Sequence, residues 1–144
     1  MIVRIINNST NALPAYETEG SAGMDVRAFL ESEVELKPFE RKLIPTGLFI
    51  ELPAGYEAQL RPRSGMALRH GITLPNSPAT IDSDYRGEIQ VALINLSNES
   101  YTVKNGDRIA QMIISKYEKI EWLAVNVIEE TARGTGGFGS TGTH

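Results

Sequence analysis

The sequence GITLPNSPATIDSDYRGEIQVALINL, residues 71–96, decides the fold because two apolar runs flank a short polar stretch. Residues 71–76 have the pattern of a short strand that ends in turn residues, and residues 89–96 have the pattern of a long buried strand. Between them, residues 81–88 hold two aspartates, a phenol, a guanidinium, a turn glycine and a final glutamate. We expect these groups at the base of a hairpin, where a rigid element presents them for chemistry.

Asp82 and Asp84, in this polar stretch, have two interpretations. Aspartates close to a glycine are common in turns, where their side chains bond nearby backbone amides. The second interpretation is catalytic, since such a density of reactive groups is unusual for a plain connection. Taken alone, residues 81–88 favour the turn, and the decision depends on the rest of the chain.

The composition is that of one ordinary domain. A chain of 144 residues buries roughly 70% of the surface that its unfolded form exposes. Its hydrophobic fraction of 41% is close to the globular average, and no stretch approaches the roughly 18 apolar residues of a membrane span. The N-terminus turns polar too early for a signal peptide, and there is no cysteine for an oxidising compartment to use. We therefore expect a cytoplasmic protein with no membrane partner.

The residue types present limit the possible chemistry. Without cysteine, and with only His70 and His144, the chain has no thiol nucleophile and no Cys/His zinc site. Acids and hydroxyls are left as catalytic groups. The net charge of −4, from 14 basic and 18 acidic residues, gives no general attraction to nucleic acid. A small anionic ligand is still possible where basic residues converge.

The pattern of turns predicts an all-β protein. Turn residues recur every eight to twelve positions or so, which is the spacing of a barrel or sandwich of short strands, and no segment has sustained helical periodicity. Lys104–Asp107 contains an Asn-Gly pair typical of a tight hairpin, and a last strand with Trp122 at its centre should close the barrel. The predicted strands are residues 3–6, 34–36, 42–52 with a break at 45–47, 56–60, 71–73, 89–96, 101–103, 108–114 and 120–128.

Three further positions combine polar side chains with apolar or small neighbours. Asp25 lies in a strand that otherwise faces inward, so its carboxylate needs partners, from a turn or from a ligand. Ser64 is placed to cap a short helix, and with Arg63 it would form a phosphate site; a plain turn with exposed arginines is the alternative. Gln111 is the polar exception in an apolar strand, and a buried amide requires hydrogen-bond partners.

The C-terminal tail has a different character, with five of the 13 glycines between Arg133 and the last residues. Such a segment is typical of a disordered terminus. However, Arg133, Phe138, Ser140 and Thr141 together offer a cation, a stacking ring and donors for phosphate. The tail is long enough to reach a neighbouring subunit.

Literal motif matches in this chain fail on inspection. Gly134-x-Gly136-x-x-Gly139 fits the dinucleotide fingerprint, but too few residues follow it to form the required helix. The stretch from Asp82 begins like a calcium loop, yet Leu93 stands where a bidentate glutamate is needed. No lysine follows a glycine, so the chain has no P-loop.

Five segments in order resemble the trimeric dUTPases (deoxyuridine triphosphatases). Each alone is weakly specific, whereas the ordered set is highly specific and spans nearly the whole chain. The segments are AGMDV (22–26), PRSGMA (62–67), Asn76 with IDSDYRG (81–87), GDRIAQM (106–112) and RGTGGFGSTG (133–142).

The resemblance implies a distorted jelly-roll β-barrel over residues 1–130 and a flexible Gly-rich arm over residues 131–144. It implies a homotrimer with shared active sites at the subunit interfaces. It also implies cleavage of dUTP to dUMP and pyrophosphate with Mg²⁺ as cofactor, which keeps uracil out of DNA and supplies dUMP for thymidylate synthesis. The metal would be held by phosphates and waters, without a direct protein ligand.

The resemblance also assigns roles to residues of this chain. Asp82 would orient and deprotonate the attacking water, Tyr85 would lie under the deoxyribose and exclude a 2′-hydroxyl, and Asn76 would read the uracil edge. The remaining substrate contacts implied by the resemblance are Arg63, Ser64, Gly65, Gln111, Arg133, Phe138, Gly139, Ser140 and Thr141. Structural or water-mediated support is implied for Asp25, Asp84 and Arg86.

One position departs from the family pattern, and two other functions deserve comparison. Ala79 stands where family members often have glycine, so a requirement for positive φ or close approach would weaken base binding. A dCTP deaminase shares the fold, but those enzymes place a catalytic glutamate where this chain has Ala92. A catalytically silent binding scaffold is the third hypothesis, and the full set of reactive residues argues against it.

Overall fold

The computed structural model describes residues 1–137, which form short β-strands and one short helix. The elements in chain order are β1 (Arg4–Asn7), β2 (Met24–Arg27), β3 (Val34–Leu36), β4 (Arg41–Glu51), β5 (Tyr56–Arg61), α1 (Ser64–His70), β6 (Ile72–Thr73), β7 (Ala79–Ile81), β8 (Ile89–Asn95), β9 (Tyr101–Val103) and β10 (Arg108–Lys116). The predicted all-β class is confirmed. Strand β7 is an element that the sequence pattern did not predict.

The strands form two four-stranded antiparallel sheets and a small third one. The first sheet has the order β1-β4-β8-β6, the second has the order β2-β10-β5-β7, and β3 pairs with β9. From β4 to β8 the successive strands alternate between the two large sheets, as in a jelly roll built from antiparallel strands. The predicted jelly-roll barrel is therefore confirmed.

The core lies between these sheets and draws apolar side chains from all three of them. In strand β8, with the sequence IQVALIN, buried and more exposed residues alternate, so every second side chain points into the core. Its Val91 and Leu93 are fully buried and belong to one cluster with Leu60 of the second sheet and Val103 of the third. This packing fixes the ends of β7 and β8, and therefore the polar stretch between them.

The strands predicted on either side of the polar stretch do pair, β6 with β8, but residues 82–88 are not a simple hairpin base, because the unpredicted β7 comes between these strands. Strand β7 pairs with β5, whereas β8 pairs with β4 and β6, so the stretch crosses from one large sheet to the other. The Asn-Gly turn at Lys104–Asp107 was misjudged in the same way, because β9 pairs with β3 and β10 with β2 and β5. Turn residues specify a local reversal of the chain, but strand partners are chosen by core packing.

Strand β4 is continuous, although the sequence predicted a break at residues 45–47. The register shifts between Pro45 and Leu48, which pair with Gln90 and Ile89, so two residues bulge out of the ladder. Proline has no N–H to lose, and Gly47 adopts a positive φ of 71°. The residues that suggested a break therefore form a bulge within one strand.

The predicted closing strand at residues 120–128 is wrong, since no strand forms there. The segment is exposed along its length, and Trp122 retains 90% of its accessible surface. Its apolar side chains have the composition of a strand, but no sheet edge within residues 1–137 of this chain pairs with them. Within the same residues, no helix is long and apolar enough to cross a membrane.

Candidate active site

Five of the predicted site residues line two grooves of the barrel surface: Asn76, Asp82 and Tyr85 line one, and Arg63 and Gly65 line the other. We call the first the Tyr85 groove; it has a volume of about 280 Å³ and contains Asn76, Ala79, Asp82, Tyr85 and Glu88. We call the second the Arg63 groove; it has a volume of about 390 Å³ and contains Arg63, Gly65, Arg69, His70, Tyr101, Asp107 and Arg108. The two grooves share no lining residue.

In the Tyr85 groove, the phenol ring lies directly over Gly87. A Cβ atom built on Gly87 would stand 2.5 Å from Tyr85 Cζ and 2.9 Å from its Cε2, so only glycine leaves room for the ring there. The Tyr85 hydroxyl donates to the backbone carbonyl of Glu88 at 3.0 Å. The ring is thus held at both its face and its tip, while 46% of the residue remains exposed to solvent.

The turn at residues 82–85 is closed by a backbone bond from Tyr85 N to the Asp82 carbonyl and by the Arg86 side chain, not by an aspartate side chain. Arg86 Nη1 donates to the carbonyls of Ser83 and Tyr85 at 2.7 and 2.9 Å. The carboxylates of Asp82 and Asp84 accept no hydrogen bond from any residue in the part of the chain described, and both are exposed. This geometry contradicts the interpretation of the two aspartates as turn-capping groups and leaves the Asp82 carboxylate open to solvent.

Asn76 and Ala79 lie on the wall of the same groove. Asn76 is exposed in the turn that precedes β7, and Ala79 begins β7, where it pairs with Leu60. Among residues 1–137, Phe39 is the one non-glycine residue with a positive φ, so Ala79 carries no left-handed strain. The sequence concern about backbone strain at Ala79 is therefore removed, while the question of close approach to a base stays open to test.

Asp25 binds two of the arginines that line the Arg63 groove. Arg63 Nε lies 2.8 Å from Asp25 Oδ1, and Arg108 Nη1 lies 3.1 Å from Asp25 Oδ2. The Asp25 side chain is 20% exposed, so the carboxylate is partly desolvated and its two ion pairs satisfy it. Sequence reasoning predicted partners for Asp25 but missed Arg108; only the pairing of β2 with β10 brings it there.

Gln111 connects β10 to the start of the helix. Its Nε2 donates to the carbonyl of Pro62 at 3.0 Å, and its Oε1 would lie only 2.8 Å from a Cβ atom on Gly23. The predicted requirement for a partner is thus met. The small residue at position 23 is needed because the Gln111 side chain occupies the space above it.

The helix itself starts differently from the prediction. Ser64 is its first helical residue, whereas Arg63 occupies the N-cap position and makes no side-chain capping bond. Arg63 cannot cap the helix, because a guanidinium has no acceptor for a backbone N–H, and it pairs with Asp25 instead. Ser64 and Gly65 are exposed at this end of the helix, where their hydroxyl and amide groups remain accessible.

Tyr101 and His70 form the wall of the Arg63 groove opposite the ion pairs. Their ring centroids are 5.1 Å apart and the planes are tilted by 45°. Burial raises the pKa of the Tyr101 phenol above its ordinary value, and the negative charge of Asp107 raises it further. Tyr101 therefore stays neutral at physiological pH and contributes a hydroxyl and an aromatic face to the groove.

Arg133 is not brought to either groove. It lies in an exposed segment, where its Nε donates to the carbonyl of Gly136 at 2.8 Å. The predicted tail contacts Phe138, Gly139, Ser140 and Thr141 lie outside the described residues. One chain therefore brings together the base and sugar candidates in one groove, and part of the phosphate candidates in another.

Comparison with known proteins gives one consistent result. The family model described as dUTPase matches residues 10–142. Deoxyuridine 5′-triphosphate nucleotidohydrolase of Finegoldia magna is 61% identical over 142 residues, covering 99% of both chains, and that of Cytophaga hutchinsonii is 56% identical over 140 residues, covering 97% of this chain and 91% of its own.

Solved structures show the same fold at lower identity. The dUTPase of Staphylococcus bacteriophage 80alpha, solved with dUpNHpp, matches with a TM-score of 0.88 at 23% identity over 99% of both chains. A mutant dUTPase of phage phi11 of S. aureus, whose structure concerns the coordination of a structural Mg(II) ion, matches with a TM-score of 0.80 at 20% identity over 90% of this chain and 100% of its own.

Proposed function

Since this chain belongs to the dUTPase family, we propose that it hydrolyses dUTP to dUMP and pyrophosphate. The observation that carries the proposal is the Asp82–Tyr85 pair: an open carboxylate stands next to a phenol ring that is fixed over Gly87. A carboxylate that can position a water, beside a flat surface that can receive a sugar, is what hydrolysis of a nucleotide at its α-phosphorus requires.

Asp82 accepts a hydrogen bond from the attacking water and aligns the water oxygen with the α-phosphorus. The new bond forms between the water oxygen and phosphorus, while the bond from the α-phosphorus to the bridging oxygen breaks and pyrophosphate leaves. The proton of the water passes to Asp82. An aspartate contributes here mainly by its position, because carboxylates are weak bases at neutral pH.

Sugar and base recognition fall to the rest of the Tyr85 groove. The exposed face of the Tyr85 ring supports the deoxyribose and leaves no partner for a 2′-hydroxyl, which would be desolvated without compensation. The amide of Asn76, on the same groove wall, is placed to pair with the uracil edge. Discrimination against thymine would follow from the lack of space for a methyl group.

The phosphate chain would be held by groups of the Arg63 groove and by the tail. Ser64 and Gly65 offer exposed donors, Gln111 holds the Pro62 carbonyl in place, and Arg63 and Arg108 supply positive charge. From the tail, Arg133, Ser140 and Thr141 would bind the outer phosphates, Phe138 would stack on uracil, and Gly139 would let the backbone approach.

Mg²⁺ is the cofactor that we propose for this reaction. Residues 1–137 contain no group of three or more acidic or histidine side chains that could hold a metal, and both Asp25 oxygens already bind arginines. A hard cation that would take its ligands from triphosphate oxygens and waters fits such a surface. When bound, the ion would neutralise phosphate charge and fix the triphosphate conformation.

A homotrimer with shared sites would explain why one chain leaves its site residues in two grooves. The exposed apolar segment supports assembly, since Ile120, Trp122 and Val127 are 64, 90 and 82% exposed in the single chain. Sedimentation should give the mass of three chains. The emission of Trp122 should be blue-shifted and weakly quenched by acrylamide, because assembly buries it; red-shifted emission from a monomer would reject this assembly.

The decisive test is pyrophosphate release with Mg²⁺ from dUTP, dTTP, dCTP and UTP in parallel. We expect release from dUTP alone, and an Asp82→Asn variant should lose nearly all turnover while still binding dUTP. Ammonia release from dCTP would instead indicate a deaminase, and tight dUTP binding without pyrophosphate would indicate a silent scaffold. For the tail, a non-hydrolysable dUTP analogue should slow tryptic cleavage after Arg133.

In the cell, we propose that this activity lowers the dUTP pool available to DNA polymerases and provides dUMP for thymidylate synthesis. A cytoplasmic location is part of the same proposal. Fractionation of cells that express the protein would test it directly.

A further inference from the structure

The bulge in β4 leaves two backbone donors without a ladder partner. Thr46 and Gly47 lie between the paired residues Pro45 and Leu48, so their N–H groups do not bond to β8 backbone. Thr46 is 1% exposed, and a buried N–H without a partner would be costly. The bulge therefore depends on an acceptor from outside the ladder.

Glu88 supplies this acceptor. Its Oε1 accepts from Gly47 N at 2.7 Å and from Thr46 N at 3.1 Å, and its Oε2 lies 3.4 Å from Gln90 Nε2. Two backbone donors converge on one carboxylate oxygen, and hydrogen bonds to an ionised acceptor are stronger than neutral ones. The side chain of Glu88 thus ties the crossing segment to β4 at a point just before β8 begins.

The backbone of the same residue holds Tyr85. The carbonyl of Glu88 accepts a hydrogen bond from the Tyr85 hydroxyl. The Tyr85 ring packs against Gly87, in the space that a side chain at this position would occupy. The Tyr85 hydroxyl donates no other hydrogen bond within residues 1–137. The direction of one carbonyl, which depends on where residue 88 is anchored, therefore sets the tilt of the exposed ring.

We propose that Glu88 is a positioning residue for sugar selection: its carboxylate, by clamping the β4 bulge, fixes the carbonyl that orients the Tyr85 ring. This inference rests on the proposed function, in which Tyr85 receives the deoxyribose. Glu88 does not touch the reacting atoms. It acts through Tyr85 on the discrimination between dUTP and UTP.

The test compares kcat/KM for dUTP and UTP in the full-length protein and in the Glu88→Ala, Glu88→Gln and Tyr85→Phe variants. Glu88→Ala should lower the dUTP/UTP ratio of kcat/KM by about two- to tenfold, which is the range for one hydrogen bond lost at the ring. Glu88→Gln should keep the dUTP/UTP ratio close to the wild-type value, because an amide oxygen can still accept hydrogen bonds from both N–H groups of the bulge. A residue that only stabilised the fold would lower the melting temperature without changing this ratio.

Tyr85→Phe removes the hydroxyl bond without touching the bulge, so it tests the same link where Glu88→Ala does not fold. It should lower the dUTP/UTP ratio by a similar factor, and the double variant should show no further loss, since both changes break one chain of contacts. A wild-type ratio in folded Glu88→Ala or in Tyr85→Phe would overturn the inference.

Failure of the proposed function gives a different result. If Tyr85→Ala, which removes the whole ring, leaves the dUTP/UTP ratio unchanged, the ring does not select the sugar and the proposed role of Tyr85 is wrong. If Tyr85→Ala lowers the ratio and Glu88→Ala does not, only the positioning role of Glu88 is overturned.

Discussion

Replacing Gly87 with alanine is the sharpest perturbation that the Tyr85 groove offers. A methyl group at this position would lie 2.5 Å from Tyr85 Cζ, whereas carbon atoms in contact are about 3.5 to 4 Å apart. The ring must therefore move by roughly 1 Å, and it can do so because it is partly exposed and no other neighbour of Gly87 is as close. The hydroxyl bond to the Glu88 carbonyl is then lost.

The cost in stability should be small while the cost in catalysis should be large. Losing one hydrogen bond lowers the free energy of unfolding by about 0.5 to 1.5 kcal/mol. A Gly→Ala change at a residue without positive φ raises it by about 0.4 to 1 kcal/mol, because alanine reduces the conformational entropy of the unfolded chain. A group misplaced by 1 Å in an active site can lower the rate by about 100-fold. We expect kcat/KM for dUTP to fall by about 10- to 100-fold at a nearly unchanged melting temperature.

The assay is pyrophosphate release from dUTP and from UTP, with Gly20→Ala as the matched control. A Cβ on Gly20 meets nothing within 4 Å, and its φ is not in the left-handed region, so the control variant should behave as wild type. Folded Gly87→Ala with wild-type kcat/KM and a wild-type dUTP/UTP ratio would refute the argument that a fixed ring is required.

Three further predictions concern other parts of the barrel. Asp25→Asn should lower the free energy of unfolding by about 1 to 2 kcal/mol in urea, because Arg63 and Arg108 lose their half-buried partner, whereas breaking the exposed Lys104–Glu33 pair with Glu33→Gln should cost less than about 0.5 kcal/mol. Phe39→Gly should raise the melting temperature. The φ of 60° costs an L-residue about 1 to 2 kcal/mol, whereas the greater loss of backbone freedom on folding costs glycine only about 0.5 to 1 kcal/mol. The raised pKa of Tyr101 means that the folded state favours the neutral phenol, so the free energy of unfolding of the wild type should decrease as the pH rises through that pKa. Urea unfolding from pH 9 to about 11 should show a smaller decrease for Tyr101→Phe, which has no phenol to ionise. A steeper fall for that variant would contradict the assignment.

The sequence predicted the class of fold and most strands because alternation within a strand is a local property. Strands such as β5 and β8 carry their buried residues at every second position, and turn residues mark where they end. The partners of each strand were not predictable in the same way. The crossing at residues 82–88 and the Asn-Gly turn before β10 both looked like hairpins, and both connect different sheets.

The sequence suggested candidate site residues but not the contacts that support them. Asp25 was expected to need hydrogen-bond partners. One of them, Arg108, lies 83 residues later in the sequence and reaches Asp25 because its strand β10 pairs with β2. The contact of Glu88 with β4 could not be predicted from the sequence either, because it depends on a bulge in β4. Pro45 and Gly47 had indicated a break in the strand at this point, not a bulge. Long-range contacts of this kind arise from strand register, which a single sequence does not encode locally.

The homotrimer that we propose would give one physical explanation for the mistaken strand at residues 120–128 and for the division of the site between two grooves. A contiguous exposed segment with Trp122 and several aliphatic residues is typical of an interaction surface. Within residues 1–137 this chain has no strand that pairs with the segment. If a second copy covers the segment, assembly also brings the Arg63 groove of one copy toward the Tyr85 groove of another. The same apolar residues would then determine both whether the protein assembles and whether its site is complete, so substitutions at Trp122 should lower activity and oligomer mass together.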